Sequence, residues 1–382
     1  MQTGRVFGLS MGHFINDMYV GFLAPLLPLI IDRLGISLTL AAMLTSVLSI
    51  STSLGQPATA FFADKIRRPY LAAAGPIMTA IFFSAIGLVH SYAMLIVILV
   101  LGGIGTAAFH PQAATYVGKC AGRQSGTAMS IFVTGGSAGY YTGPIVIMGI
   151  ITWLGLEYSF ISILPGILIS ILLFLILPKL SHAPNRHKQV HGNAHIPHQI
   201  RALIFLYLIS MIRSFMISGF NTFIPIYLEQ QNVDPMLYAG ALTAFGMPGA
   251  VGSLLGGALS DRFGRRTMIF TSIAVALPFL TLFLTLTGFW SIICLSVAGF
   301  AIFSSIPVVI IMAQELMPAR INVASSLVMG LSWGVAGLLV TPLGAIAEKI
   351  GLNQALYGLI AVGAAACLMT FFLPETKGGK NV

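Results

Sequence analysis

Apolar residues run through this chain in long, nearly unbroken stretches separated by short polar gaps. A hydrocarbon core of about 30 Å takes roughly 20 helical residues per crossing. Twelve stretches reach that length, at approximately 6–31, 38–63, 70–89, 93–115, 125–151, 159–178, 202–228, 237–260, 267–287, 290–316, 323–347 and 354–373. Backbone groups do not stay unpaired in lipid, and these lengths suit helices and not barrel strands. The first stretch is too long for a signal-peptide core and ends without a small-residue cleavage site, so it reads as a retained helix.

One segment breaks the apolar rhythm. From Lys179 to Arg201 the chain is polar, with Pro184, Pro197 and the histidines His182, His187, His191, His195 and His198. The expected organisation is a six-helix bundle over 1–178, a cytoplasmic linker over 179–201, and a second six-helix bundle with a short tail over 202–382. The halves echo each other. GQPATAFFADKIRR (Gly55 to Arg68) parallels GSLLGGALSDRFGR (Gly252 to Arg265), pairing Asp64 with Asp261. GTAMSIFVTGGSAGYYTGP (Gly126 to Pro144) parallels ASSLVMGLSWGVAGLLVTP (Ala324 to Pro342). Two parallel repeats of six helices with a site between them are a transporter architecture.

Composition narrows the class. With 57% hydrophobic and 8% charged residues, the chain lacks the charged surface of a soluble fold. Of its 19 Lys and Arg, all but Arg33, Lys349 and Arg213 fall in the leader, alternate gaps and tail. Basic residues are retained on the cytoplasmic side, so both termini are expected there. The net charge of +9 therefore reflects topology and attraction to anionic membrane lipid, and nucleic acid is not an expected partner. Cys120, Cys294 and Cys367 lack disulfide or metal-ligand spacing.

The sequence GALSDRFGRR (Gly257 to Arg266) resembles the loop between helices 2 and 3 of major facilitator superfamily transporters, in its second-half copy. The first-half copy, AFFADKIRR, departs from the pattern: Ala60 stands where the family has glycine, and the central glycine is missing. Helix 5 resembles the Gly-x-x-x-Gly-Pro signature of the superfamily's antiporters through Gly139, Gly143 and Pro144. GHFINDMYVGFLAPLLP in helix 1 and AAFHPQAATYVGK in helix 4 are similar to fosmidomycin-resistance-type efflux carriers. The resemblance implies an all-α membrane fold of 12 helices in two pseudo-symmetric bundles in a bacterial inner membrane. It also implies transport by alternating access.

Ionisable groups inside a membrane are costly and mark functional candidates. Asp17 lies 12 residues after Arg5, and Arg213 lies 12 after Arg201, each about 18 Å into its helix at 1.5 Å per residue. Opposite charges at matched depth invite a pair. Asp17 is the expected proton carrier: burial favours its protonated form and a nearby guanidinium its ionised one. A permanent structural ion pair, or an Arg213 that binds an anionic substrate with Asp17 as counter-ion, are the alternatives. His13 lies one turn from Asp17 on the same face and could relay a proton or only hydrogen-bond. Asn16 is a candidate substrate contact.

His110, in Phe-His-Pro, titrates near neutrality when unperturbed, or else satisfies the carbonyl freed by Pro111. Glu315 ends helix 10 and could pair with His110 or Arg320 at an inner gate. Asn221, Tyr140, Tyr141 and Trp333 could line the substrate path. Asp64 with Arg68, and Asp261 with Arg262 and Arg265, could latch helices in one state of the cycle, where the basic residues alone could also reflect topology. The histidine linker reads as a solvated connection; clustering for metal is the alternative.

The sequence carries no two-His helix with an intervening glutamate, no Gly-x-Ser-x-Gly elbow and no phosphate-cradling Gly-Lys-Ser or Gly-Lys-Thr loop, so no enzyme activity, cofactor or metal is expected. The expected function is proton-driven export of a small organic compound by a monomeric secondary carrier. Proton-coupled uptake of an organic anion is the alternative, and a membrane sensor on a transporter scaffold the minor one.

Overall fold

A computed structural model describes residues 1–53, 55–56, 59, 70–122, 124–177 and 196–375. The described residues are helical, with no strand among them. In chain order the helices are α1 (Thr3–Val20), α2 (Leu23–Leu34), α3 (Leu38–Ser53), α4 (Tyr70–Ser84), α5 (Tyr92–Ala121), α6 (Ser125–Leu154) and α7 (Ile163–Ile176). There follow α8 (Ile196–Glu229), α9 (Pro235–Phe263), α10 (Arg265–Thr285), α11 (Gly288–Ser304), α12 (Ile306–Leu316), α13 (Ile321–Ser326), α14 (Ser332–Ile350) and α15 (Leu352–Met369).

Ten segments among the described residues are long and apolar enough to cross a membrane, the first being α1 and α2 together as Thr3–Leu34. The 30-residue α6 and the shorter apolar α3 occupy the positions of the fifth and second expected spans. Twelve crossings in the expected order are thus accounted for. The linker from 179 to 195, with four of its five histidines, lies outside the described residues.

Helices that end in lipid show it on their surfaces. On α7 the exposed Leu164, Leu168, Ile171 and Leu175 recur at helical spacing, while Gly166, Ile169, Ser170 and Leu173 are buried. An apolar face turned outward belongs against acyl chains. Exposed Trp153, Tyr158 and Trp290 sit near helix ends, as aromatic side chains do at the water–lipid boundary.

The chain divides into two compact units. The first comprises Met1–Ala183 and Thr222–Thr243, the second Pro184–Asn221 and Ala244–Val382. Each has its own core. In the first, Val6, Leu9, Phe109, Tyr116, Phe132, Ile169 and Leu173 pack together. In the second, Leu206, Ile209, Ile269, Ile273, Val308 and Met312 do so.

Glycine sets how closely the helices of the first unit approach. On α6, a Cβ at Gly139 would strike the carbonyl of Phe14, and one at Gly143 the carbonyl of Met18. Gly21, at the end of α1, lies equally tight against the carbonyl of Tyr140. Gly136 leaves the room occupied by the His13 ring. The Gly-rich signature of helix 5 is therefore a backbone-to-backbone seam with α1, the kind of contact that small residues permit in membranes. The second unit repeats the device between α9 and α11, where Gly252 and Gly256 meet the carbonyls of Phe300 and Ser304.

Gly139→Val should force α1 and α6 apart. Overpacking of this kind destabilises by about 1–3 kcal/mol. Gly149, on the same helix but facing open space, should accept alanine without loss. Thermal unfolding of both variants in detergent checks the difference, and equal losses would contradict the seam.

Candidate functional site

The α1–α6 seam and the neighbouring α5 bring three titratable side chains together inside the first unit. His13 and Asp17, one helical turn apart, meet with His13 Nε2 3.1 Å from Asp17 Oδ2. His110 reaches in from α5, with its Nε2 3.3 Å from Asp17 Oδ1. The two imidazole Nε2 atoms are themselves 3.0 Å apart. His13, Asp17 and His110 were each expected as proton-coupling residues, and the structure brings the three together.

The far side of each ring is held by backbone. His13 Nδ1 donates to the Phe132 carbonyl at 2.7 Å, and the Phe132 ring stacks on it with centroids 4.1 Å apart. His110 Nδ1 donates to the Thr106 carbonyl at 2.8 Å. A carbonyl only accepts, so both Nδ1 atoms carry hydrogen and a neutral ring offers a lone pair at Nε2. Two lone pairs at 3.0 Å beside a carboxylate repel unless a positive species joins them.

Pro111 contributes indirectly. Its missing N–H frees the carbonyl of Ala107, and that carbonyl accepts from Thr59 Oγ1 at 2.6 Å. The kink is thus satisfied without His110, whose ring is left to meet Asp17.

Asn16, expected as a substrate contact, is held by its neighbours in this structure. It is 0% exposed, donates to Asp17 Oδ1 at 3.0 Å and accepts from Thr79 Oγ1 at 3.1 Å. Thr79 lies 3.2 Å from Thr106 Oγ1, closing a ring of polar contacts through Asp17, Asn16, Thr79, Thr106 and His110. Asn16 therefore orients the carboxylate. Thr79, Thr106 and Phe132 escaped the sequence reading because a hydroxyl or a backbone carbonyl in an apolar helix carries no charge signal.

The ligating atoms of His13, Asp17 and His110 all lie within 4.8 Å of one another, close enough for a metal ion to be considered. Zinc bonds of 2.0–2.1 Å in tetrahedral geometry would hold two nitrogens about 3.3 Å apart. The observed 3.0 Å is a hydrogen-bond length between ring nitrogens and suits a proton better.

In the second unit Arg213 is 2% exposed, and its Nη2 donates to Ser210 Oγ at 3.2 Å. Asn221 is buried and Trp333 half-buried. In the first unit the Tyr140 and Tyr141 rings meet edge to face, with centroids 4.9 Å apart. The pairing of Asp17 with Arg213 joins residues of different units and stays an expectation.

Asp261, Arg265 and Glu315 form a clasp in the second unit. Gly264, at φ +95°, ends α9 in a conformation that favours glycine and starts α10 at once. Arg265 is thereby buried and reaches Asp261 Oδ1 through Nη1 at 2.6 Å and Glu315 Oε1 through Nη2 at 3.3 Å. Glu315, expected to pair with His110 or Arg320, is thus engaged by Arg265. Arg262 instead lies over the Phe263 ring at 5.4 Å, and Arg320 is exposed. Asp64 and Arg68 lie outside the described residues.

Residues 9–341 match the family model of the Major Facilitator Superfamily. The chain is 25% identical to the fosmidomycin resistance protein of Escherichia coli over 98% of its own length and 93% of that protein's. It is 23% identical to the multi-drug resistance efflux pump PmrA of Streptococcus pneumoniae, covering 68% of this chain and 67% of the pump. Among solved structures, the inward-open xylose transporter XylE from E. coli superposes with a TM-score of 0.79 at 14% identity, covering 100% of this chain and 98% of that one.

Arg265→Ala combined with Glu315→Gln should cost less than the sum of the single changes, since each single change already breaks their contact. A double-mutant cycle on unfolding should give a coupling of about 1 kcal/mol; strict additivity would remove Glu315 from the clasp.

Proposed function

The chain belongs to the Major Facilitator Superfamily and is a multi-pass transporter of the plasma (inner) membrane, and on that footing we propose that it is a proton-coupled antiporter exporting a small organic compound. The observation that carries the proposal is the convergence of two Nε2 atoms and a carboxylate in the first unit. With both Nδ1 hydrogens committed to backbone carbonyls, a proton entering the site goes to the Nε2 pair. There it is shared between the rings and stabilised by Asp17. Asp17 is the charge that retains the proton, and His13 and His110 are the groups that carry it.

Export is supported by the efflux-type relatives and by the Gly139, Gly143 and Pro144 signature. In the cycle proposed, the two units rock to expose a central path to each side alternately. A proton arriving from outside enters the Nε2 pair beside Asp17 and resets the carrier once cargo has left. The Asp261–Arg265–Glu315 clasp holds one end of the second unit while the path is closed and loosens as it opens. Cytoplasmic termini, monomeric action and the absence of nucleic-acid, metal and cofactor partners belong to this proposal.

Removing the charge at the centre separates coupling from movement. Asp17→Asn should abolish cargo transport driven by a pH gradient and leave cargo-for-cargo exchange in proteoliposomes, with an exchange rate that no longer varies between pH 6 and 8. The wild-type rate, which depends on the proton held at this site, should vary across that range. Gradient-driven transport at the wild-type rate in Asp17→Asn would overturn the assignment. Proton movement in the same direction as cargo would replace export with uptake.

A further inference from the structure

Arg213 stands on α8 in the second unit with most of its hydrogen-bonding capacity unused. Ser210 takes one N–H from Nη2. Nε and Nη1 have no hydrogen-bond partner among the described residues, and neither does the hydroxyl of Ser214, the next residue, which is 0% exposed. A guanidinium has five N–H donors in a planar fork and no acceptor. Whichever Nη2 hydrogen Ser210 accepts, the other lies parallel to a free N–H on Nε or on Nη1. A parallel donor pair of this kind fits the two oxygens of a carboxylate, phosphate or phosphonate.

The surroundings hold this fork in place and add to it. Ser210, Arg213, Ser214 and Asn221 recur at three, four and eleven residues from Ser210, along one face of the helix. Ser210 Oγ donates to the Val328 carbonyl at 2.8 Å and lies 3.2 Å from Ser332 Oγ, so the residue that steadies Arg213 is anchored to the next helical segment. Val328 belongs to a π-helical turn, Leu327–Leu331, a distortion of the helix often found at functional sites. A buried cation with unmet donors is costly, and an oxyanion supplies both the charge and the acceptors.

We propose that Arg213 and Ser214 seat the anionic group of the transported molecule, a carboxylate or a phosphorus oxyanion. The inference rests on the transport reading and narrows its cargo to organic anions. Arg213 supplies the paired donors, Ser214 a third, and Ser210 fixes the orientation of the fork.

Binding can be measured without any proton gradient, on the full chain in nanodiscs, with phenylphosphonate, benzoate and the uncharged benzamide as probes. Wild-type protein should bind at least one anion and show no binding of benzamide. Arg213→Met should weaken anion binding roughly 10- to 100-fold, as loss of hydrogen bonds to a charged group does, and Ser214→Ala about fivefold. Arg213→Lys keeps the charge without the fork, should fall between them, and serves if Arg213→Met does not fold. The measurement needs neither a proton gradient nor transport, so a failed proton assignment leaves this result standing. Equal binding of benzamide and benzoate, or unchanged anion affinity in both Arg213 variants, would overturn the proposal.

Discussion

Two imidazole nitrogens held 3.0 Å apart beside a carboxylate form the contact on which the rest of the first unit depends. Because the Phe132 and Thr106 carbonyls fix both Nδ1 hydrogens, the rings cannot relieve the contact by changing tautomer. On the proposed reading, the site is stable with a proton between the rings and strained without one. A membrane interior makes that difference large, since little water is present to solvate the bare aspartate or to take up the repulsion. On that reading, gain or loss of one proton changes the balance of forces where α1, α5 and α6 meet.

The packing around the site exists to permit this approach. Gly139 and Gly143 let the α6 backbone touch α1, and Gly136 leaves the space that the His13 ring fills. Thr59 caps the carbonyl that Pro111 frees, which releases His110 for the aspartate. Asn16 and Thr79 then hold the carboxylate from its other side. Each of these is a short polar or small residue in an apolar helix, spending no charge beyond the three groups that need it. The second unit follows a similar economy, with one guanidinium in the membrane interior and one clasp at a helix junction.

Much of this was legible in the sequence. The span lengths located the helices, and the alternating basic gaps and the repeat gave the two-part organisation its expectation. Asp17 and Arg213 stood out because a charge within an apolar run is rare. His13 followed from one turn of helix. The meeting of His110 with Asp17 was not legible, because it depends on which face of α5 turns towards α1, and Pro111 offered a competing local reason for the histidine. The depths were nonetheless a clue: His110 precedes Lys119 by nine residues, which puts it near the level of Asp17 from the same side. The contact of Asn16 with Asp17 was likewise not legible, because sequence does not say whether a polar side chain faces the path or its neighbour. Thr79 and Phe132 act through a hydroxyl and a backbone carbonyl, groups that composition does not single out.

The most direct test is nitrogen-15 magnetic resonance of the histidine rings in the full chain, with His13 and His110 assigned from single His→Gln variants. The account predicts protonated Nδ1 on both rings at all pH values and Nε2 signals that shift together as one proton enters a shared site. In Asp17→Asn that joint shift should be altered on both rings at once. A bare Nδ1 on either ring, or two Nε2 signals that titrate independently and ignore the loss of Asp17, would contradict it.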